Sequence, residues 1–569
     1  MLRRFLIILF VCCFGFLSVN SLAQVSVNVD TLDPVYRDID KLVSHGLVKK
    51  IIMGQRPFSR REIARITAEA IYQFHKLEKG LEDPALSEAK KKSLKKRLDY
   101  LTVTLNRLKR DYREELIQMG ALIGEKKSYS IHGVDKVDVG MLFTNSSAEP
   151  LPVNNGIGDI DAVINPLVDY EQGRHLVEGY NFSVETSHWL RASDYFALFL
   201  RPRFQLGITN DGSPDDNDVY ILNLYGKLNI KNFEIEVGRD NLFWGQGFDS
   251  GLMLSNNPRG LDMIKLSNDV PGILPWIFKY LGAHKISFFY ADMGPEQNFP
   301  HPYLVGWKYN IQPLSFFELG IAYYAQGGGQ GSPPATFGER VEDVFGFNPG
   351  DNVGLSNKMG GADFRFRIPP ARGLEIYGEA IFDDTQGING SKRFFWQDAG
   401  YIVGVSIPRL TNTGNVDLRL EWHKTGVRMY RHTIFTSGLT LNKYIIGDNL
   451  GPDAQGAYLV SNWDYDPQNL FTFRGAYETR GSDIWGNESD SRGIIGDFFV
   501  VQNNPRENRY RVTTQWLHRF KDWPVKFRAN LGYEYVQNFG FVAGQSKNNF
   551  LGAAAFEIDL DHWTKFPKQ

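Results

Sequence analysis

The chain has 569 residues, with 63 Lys and Arg against 65 Asp and Glu and a formal net charge of −2. That balance argues against a general polyanion binder, and no nucleic-acid partner is expected. Both cysteines, Cys12 and Cys13, lie in the first stretch of the chain, so everything after them lacks a disulfide or a thiolate metal site.

Residues 1–23 read as a secretion signal. Arg3 and Arg4 supply the positive start, Phe5 to Leu17 the apolar stretch, and Ser21-Leu22-Ala23 the small-residue cleavage site. The mature chain is expected to begin at Gln24. No later run is long and apolar enough for a helical span; Ile273 to Leu281 is short and broken by Pro275 and Lys279. An exported chain without such a helix is either soluble or crosses a membrane as a barrel.

Residues 24–127 form an N-terminal helical domain, expected at a periplasmic mouth. Pro34 to Ser44 carries Val35, Ile39, Leu42 and Val43 on one face and stops at Gly46. Ser59-Arg60-Arg61-Glu62 is a capping-box pattern opening a second helix to about His75. A third, over 84–120, carries Leu94, Leu98, Leu101, Leu105, Leu108, Tyr112, Leu116 and Met119. That stripe needs a partner: the first two helices, or else a barrel rim or another periplasmic protein. Its basic run, Lys90 to Arg97, reads as a solvated face, with anionic lipid or polysaccharide as the alternative contact.

From residue 128 to 569 the periodicity falls to two. Strands are expected at 129–143, 177–190, 194–208, 218–230, 233–239, 260–268, 284–293, 302–311 and 315–325. Further strands follow at 360–368, 373–383, 398–407, 414–424, 456–461, 469–479, 508–519, 524–537 and 548–560. The total, about 18, is even, as a bacterial single-chain barrel requires. Odd connections are long and even ones mostly short, the asymmetry of outer loops and periplasmic turns. The connection 269–283 is the exception and suits a small rim helix.

Along each strand one face is apolar and the other charged. Val416, Leu418, Leu420 and Trp422 alternate with Asp417, Arg419, Glu421 and His423. Phe364, Phe366 and Ile368 oppose Arg365 and Arg367; Phe471, Phe473 and Tyr477 oppose Arg474 and Glu478. A Lys or Arg facing lipid at mid-membrane costs about 2–4 kcal/mol, so the charged face is expected inward, as ion-pair ladders, with outer-membrane lipid outside. Trp189, Trp463, Trp523 and Trp563 are expected in an interfacial belt.

Catalytic patterns are missing: there is no His-Glu-x-x-His, P-loop or Gly-x-Ser-x-Gly, and the histidines are scattered. Gly245-Gln246-Gly247 lacks the setting of a dinucleotide fingerprint, and Asp215, Asp216 and Asp218 lack the oxygen spacing of a calcium loop. No catalytic residue, cofactor or metal is expected. Sugar binding instead needs an aromatic platform and planar polar groups. The loop after 233–239 offers Phe243, Trp244, Asp249, Asn256, Asn257 and Arg259; the loop 425–455 offers Tyr430, Arg431, His432 and Asp448.

Three segments carry a family resemblance. They are Tyr36-Arg37-Asp38-Ile39-Asp40-Lys41-Leu42 through Gly54-Gln55-Arg56-Pro57-Phe58-Ser59-Arg60-Arg61-Glu62-Ile63; Val237-Gly238-Arg239-Asp240-Asn241-Leu242-Phe243-Trp244-Gly245-Gln246-Gly247 with Leu254 to Arg259; and Met429-Tyr430-Arg431-His432 through Ile434 to Gly438, with Gly447-Asp448. Here the chain resembles the capsule assembly Wzi family of outer-membrane proteins, and the resemblance runs over most of the mature chain. It implies an all-β transmembrane barrel of 18 strands with a helical bundle at the periplasmic mouth. It also implies a non-enzymatic, lectin-like role in holding capsular or other surface polysaccharide. The long basic helix and extended outer loops depart from the family. Two other functions fit a barrel of this size: a porin or uptake channel, and an outer-membrane enzyme acting on lipid or glycan.

Overall fold

The computed structural model describes residues 24–569 except 85, 211–215, 337, 341–343, 345–355, 384–392, 490–494 and 564–569. The expected signal segment 1–23 and Asp215 lie outside the described residues.

Four helices open the chain: α1 (Val35–Ser44), α2 (Arg60–Lys79), α3 (Glu88–Asp111) and α4 (Arg113–Gln118). α1 ends where Gly46 takes a positive φ, the Gly46 N–H donating to Val43 O and the Leu47 N–H to Leu42 O. Ser59 caps α2 by accepting the Glu62 N–H at 3.1 Å. Half of the expected capping box forms, because the Glu62 carboxylate turns to Arg65 at 2.8 Å. The long third helix is corrected in two respects: it starts at Glu88, and it is interrupted at Tyr112, whose ψ of 26° separates α3 from α4. Its stripe packs as expected, with Leu101, Leu105, Leu108, Tyr112 and Leu116 buried against Ile39, Leu42, Ile63 and Ile66. Met119, at the end of the stripe, is exposed. Lys90, Lys92, Lys95 and Lys96 face solvent, while Arg97 turns in and donates from Nε to His45 Nδ1 at 2.8 Å.

Eighteen antiparallel strands close into one barrel. They are β1 (Ser130–Thr144), β2 (Gly179–Arg191), β3 (Phe196–Thr209), β4 (Asp216–Ile230), β5 (Phe233–Asp240) and β6 (Leu261–Asn268). Next come β7 (Ala283–Asp292), β8 (Tyr303–Leu314), β9 (Phe317–Gly327), β10 (Ser356–Ile368), β11 (Leu374–Asp383) and β12 (Ala399–Ile407). The last are β13 (Val416–Thr425), β14 (Ala454–Asp464), β15 (Asn469–Arg480), β16 (Glu507–Arg519), β17 (Val525–Gln537) and β18 (Ser546–Asp559). Each matches an expected segment, and β18 closes on β1 from Lys136–Asp559 to Thr144–Leu551. The exceptional connection after β6 holds a short 3-10 helix, Trp276–Leu281.

Burial follows the pleat in the inverted sense of a membrane barrel. Leu420, Val512 and Leu531 are 52%, 61% and 68% exposed, whereas Arg365, Arg480 and Arg509 are nearly sealed from solvent. The inner wall carries the expected ion pairs in mixed sign. Arg365 and Arg367 share Glu375 at 2.5 and 3.2 Å; Lys265 meets Glu236 at 2.9 Å; Arg511 meets Glu534 at 2.6 Å.

Trp463, Trp523 and Trp563 lie on the exposed exterior, but Trp189 does not. It is buried with Val25, Val27 and Ala197 and stacks on His132 with ring centroids 3.7 Å apart. The reason is parity: in β2 the even positions Tyr180, Phe182 and Val184 are exposed, so position 189 faces inward.

Candidate functional site

The lumen is filled from both ends. From the periplasmic side, residues 51–57 climb along the inner wall: the Met53 and Gly54 N–H groups donate to the Glu318 carboxylate at 2.9 Å each, and Ile51 N–H to Gln312 Oε1 at 2.9 Å. From the outer side, residues 241–260 descend. Phe243 and Trp244 pair antiparallel with Arg56 and Gln55. The Gly245-Gln246-Gly247 turn serves an internal anion: Gln246, Gly247 and Leu252 donate their N–H groups to the Glu379 carboxylate at 2.7, 3.0 and 3.0 Å. A Cβ at Gly245 would lie 2.3 Å from Glu379 Oε1, so glycine is needed for this approach.

The structure brings the two predicted sugar-binding segments together, inside the molecule. Phe243 and Trp244 are each 1% exposed; Arg56 lies over the Phe243 ring, and Trp244 meets Phe289 edge-on. Asn256 accepts from Thr31 Oγ1 at 2.6 Å, and Asn257 Nδ2 donates to Ile445 O at 2.9 Å. Arg259 is held by Asp262 at 3.0 Å. Asp249 pairs with Arg474. Tyr430 is buried, donating to Leu252 O at 2.7 Å, so that the second loop rests on the first.

The same buried body fixes the outer loops. Arg431 donates to the Pro152 and Val153 carbonyls at 2.6 and 2.8 Å, and burial pushes its guanidinium down to about 10. His432 exchanges backbone bonds with Asp159 at 3.1 Å, and its Nδ1 accepts the Ile434 and Phe435 N–H groups. Asp448 accepts from Tyr170 at 2.8 Å and lies 2.7 Å from His423 Nδ1. Burial alone would raise the Asp448 carboxyl; the His423 imidazole and the Leu450 N–H bring it below the usual carboxylate range. These side chains are spent on loop geometry.

What they hold up is an outer cap made from the loops after β1, β7 and β13. Val163 N–H donates to Lys443 O at 2.9 Å, Asp161 N–H to Ser437 O at 3.1 Å, and Asn298 Nδ2 to Ile434 O at 2.9 Å. Its solvent face carries Asn154, Asp161, Asn298, Asn442 and Lys443, with Asp161 and Lys443 paired at 3.4 Å. A second exposed feature is the Phe395–Trp396 pair, where Lys424 Nζ sits 4.7 Å from the Trp396 ring. Sequence reasoning missed all of these; their only signal was polar or aromatic residues in long odd-numbered loops.

A chamber of about 290 Å³ lies in the lumen between residues 27–34 and the wall of β1, β2, β3, β17 and β18. Arg60, Tyr112 and Trp189 line it toward the helices. Leu142, Leu167, Val168 and Leu551 line the other end and pack together as one apolar cluster.

The family model described as capsule assembly protein Wzi matches residues 162–551. Among solved structures, the chain is similar to Wzi of Escherichia coli, an outer-membrane protein described as a carbohydrate-binding β-barrel involved in group 1 capsule assembly. Identity is 17%, the TM-score is 0.62, and the match covers 94% of this chain and 99% of that one. A looser likeness, with a TM-score of 0.42 and 10% identity over 79% of this chain and 98% of the other, is to OccD3 of Pseudomonas aeruginosa. An uncharacterized 55.8 kDa protein from the cps region of Klebsiella pneumoniae is 26% identical over 180 residues, 30% of this chain and 34% of the relative. The chain therefore matches about a third of the length of that curated relative. A matched span of well over half the chain, on a closed 18-stranded barrel with an apolar exterior, places this protein in the capsule assembly protein Wzi family of the outer membrane.

Proposed function

We propose that the protein is a non-enzymatic lectin that holds capsular or other surface polysaccharide on its outer cap and so helps attach or organise the capsule. The observation that carries this reading is the plug: residues 51–57 and 241–260 meet inside the barrel, which leaves the outer face as the working surface. Asn442 offers a planar amide to sugar hydroxyls, Asn154 and Asn298 offer a second amide N–H beyond the loop bonds they make, and Trp396 offers a ring face. The ten buried or ion-paired residues first singled out act as the scaffold of this surface. Each contact to one sugar is weak; a repeating polymer engages many copies at high effective concentration.

Two features speak against the other functions. The apolar cluster around Leu167 lines one end of that chamber, an environment that does not favour a water-filled channel. The buried His423–Asp448 pair turns its other ring nitrogen to Glu421 at 3.1 Å, not to a nucleophile.

The test is retention of purified surface polysaccharide from the producing strain on the protein in nanodiscs. The triple variant Asn154→Ala, Asn442→Ala, Lys443→Ala is expected to lose at least about tenfold in apparent affinity while keeping its folded mobility, roughly 1.4 kcal/mol in binding free energy. Equal retention by the variant, or none by the wild type, overturns the reading.

A further inference from the structure

At the periplasmic seam of the barrel, far from the cap, three side chains from the first and last strands converge. They are His132 at the start of β1, Asp135 three residues on, and Asp561 just beyond β18. Their ligand atoms all lie within 4.8 Å of one another. Asp135 is brought in by an irregularity of β1: its register against β2 shifts between His132 and Lys136. A regular strand would spread these positions along the wall.

The imidazole is held as a metal-bound histidine usually is. It is 8% exposed and stacked on Trp189, with centroids 3.7 Å apart and planes within 13°. Nε2 lies 2.8 Å from Ser130 Oγ and 3.6 Å from Glu114 Oε2, and that hydroxyl donates to the same carboxylate at 2.9 Å. A carboxylate behind one ring nitrogen fixes the tautomer and aims the other nitrogen forward. The forward atom, Nδ1, is buried without a hydrogen bond, although Asp561 Oδ1 is only 3.0 Å away. The carboxylate lies beside the line along which an N–H would point. Two ligand atoms on a common ion, each about 2.0–2.2 Å from it, stand roughly 3–3.5 Å apart.

We propose that His132 Nδ1, Asp135 and Asp561 form a site for a first-row divalent cation, zinc foremost, at the periplasmic seam. One imidazole nitrogen disfavours magnesium and calcium, and two carboxylates with no thiolate suit a tetrahedral zinc with one position left to water. The ion would tie the turn after β18 to the first strand and, through Glu114, both to α4. Sequence gave no hint of it, because Asp561 lies more than four hundred positions from His132.

The experiment uses the full mature chain in detergent, stripped with a chelator and titrated with zinc chloride by calorimetry. One equivalent is expected to bind, with a raised thermal midpoint. Cobalt in its place is expected to give the intense visible bands of a tetrahedral ion. His132→Ala and Asp561→Asn are expected to lose at least about a hundredfold in affinity, and Asp135→Asn about tenfold or more. Should a variant fail to fold, the wild-type titration and cobalt spectrum still decide. No binding by the wild type, an octahedral cobalt spectrum, or undiminished binding by both folded His132 and Asp561 variants would overturn the site.

Discussion

Gln55 and Trp244 face each other in a two-residue antiparallel pair inside the barrel, one arriving from the periplasmic side and the other from the outer loops. Gln55 also donates to Lys285 O and Asn310 Oδ1 at 3.0 Å each, which ties the pair to the wall. Trp244→Ala would leave a cavity in this joint. The expected cost is about 3–5 kcal/mol, read as a fall in the urea midpoint with an unchanged slope. A loss of glycan retention without loss of stability would instead make Trp244 a contact residue.

Arg509 is nearly fully buried and meets Glu507 at 2.7 Å, Glu534 at 3.3 Å and Glu149, so β16, β17 and the first outer loop share one cation. Arg509→Ala leaves Glu507 without its cation and takes one of two from Glu534, which keeps Arg511, and from Glu149, which keeps Lys547. A loss of about 3–5 kcal/mol is expected, seen as a lowered temperature of the heat-modifiable gel shift. A shift within error of wild type would show the ladder to be dispensable.

Leu531 stands at the middle of β17 with its side chain outside, flanked in sequence by inward-facing neighbours. Leu531→Arg is expected to cost about 2–4 kcal/mol in folding into vesicles, measured by urea titration. A neutral result would mean that this face is covered by something other than lipid.

Much of the barrel was legible because the pleat writes its two environments into alternate residues, as in Asp417 to His423. Trp189 shows the limit of reading a residue by type: an aromatic near a strand end suggests an interface, but its odd position in β2 points it into the lumen. Phe243, Trp244, Asn256 and Tyr430 have the right chemistry for sugar, and the same chemistry serves a polar plug. The meeting of Gln55 with Trp244, which no local pattern encodes, places that chemistry inside the barrel. The cap residues Asn298 and Lys443 are ordinary loop residues until the loops after β1, β7 and β13 are brought together.

His45 should make the docking of the helices sensitive to acid. It accepts from Arg97 Nε, and its Nε2 lies where a Cβ on Gly414 would come within 2.5 Å. Burial, and then the Arg97 guanidinium, depress its imidazole from 6.5 to about 2. Between those values the unfolded chain holds a proton that the folded chain does not. The contribution is therefore complete above pH 6.5 and falls by about 1.4 kcal/mol per unit as pH drops below it. Thermal melts at pH 7 and pH 5 are expected to differ more for wild type than for His45→Gln. Parallel losses would assign the acid sensitivity elsewhere.

Single-protein current recording in planar bilayers is the most direct measurement of a barrel closed by its own chain. The filled lumen predicts no steady conductance from wild-type protein at moderate voltage. A stable, ohmic open state of porin size would contradict it, and with it the case for the outer cap as the working surface.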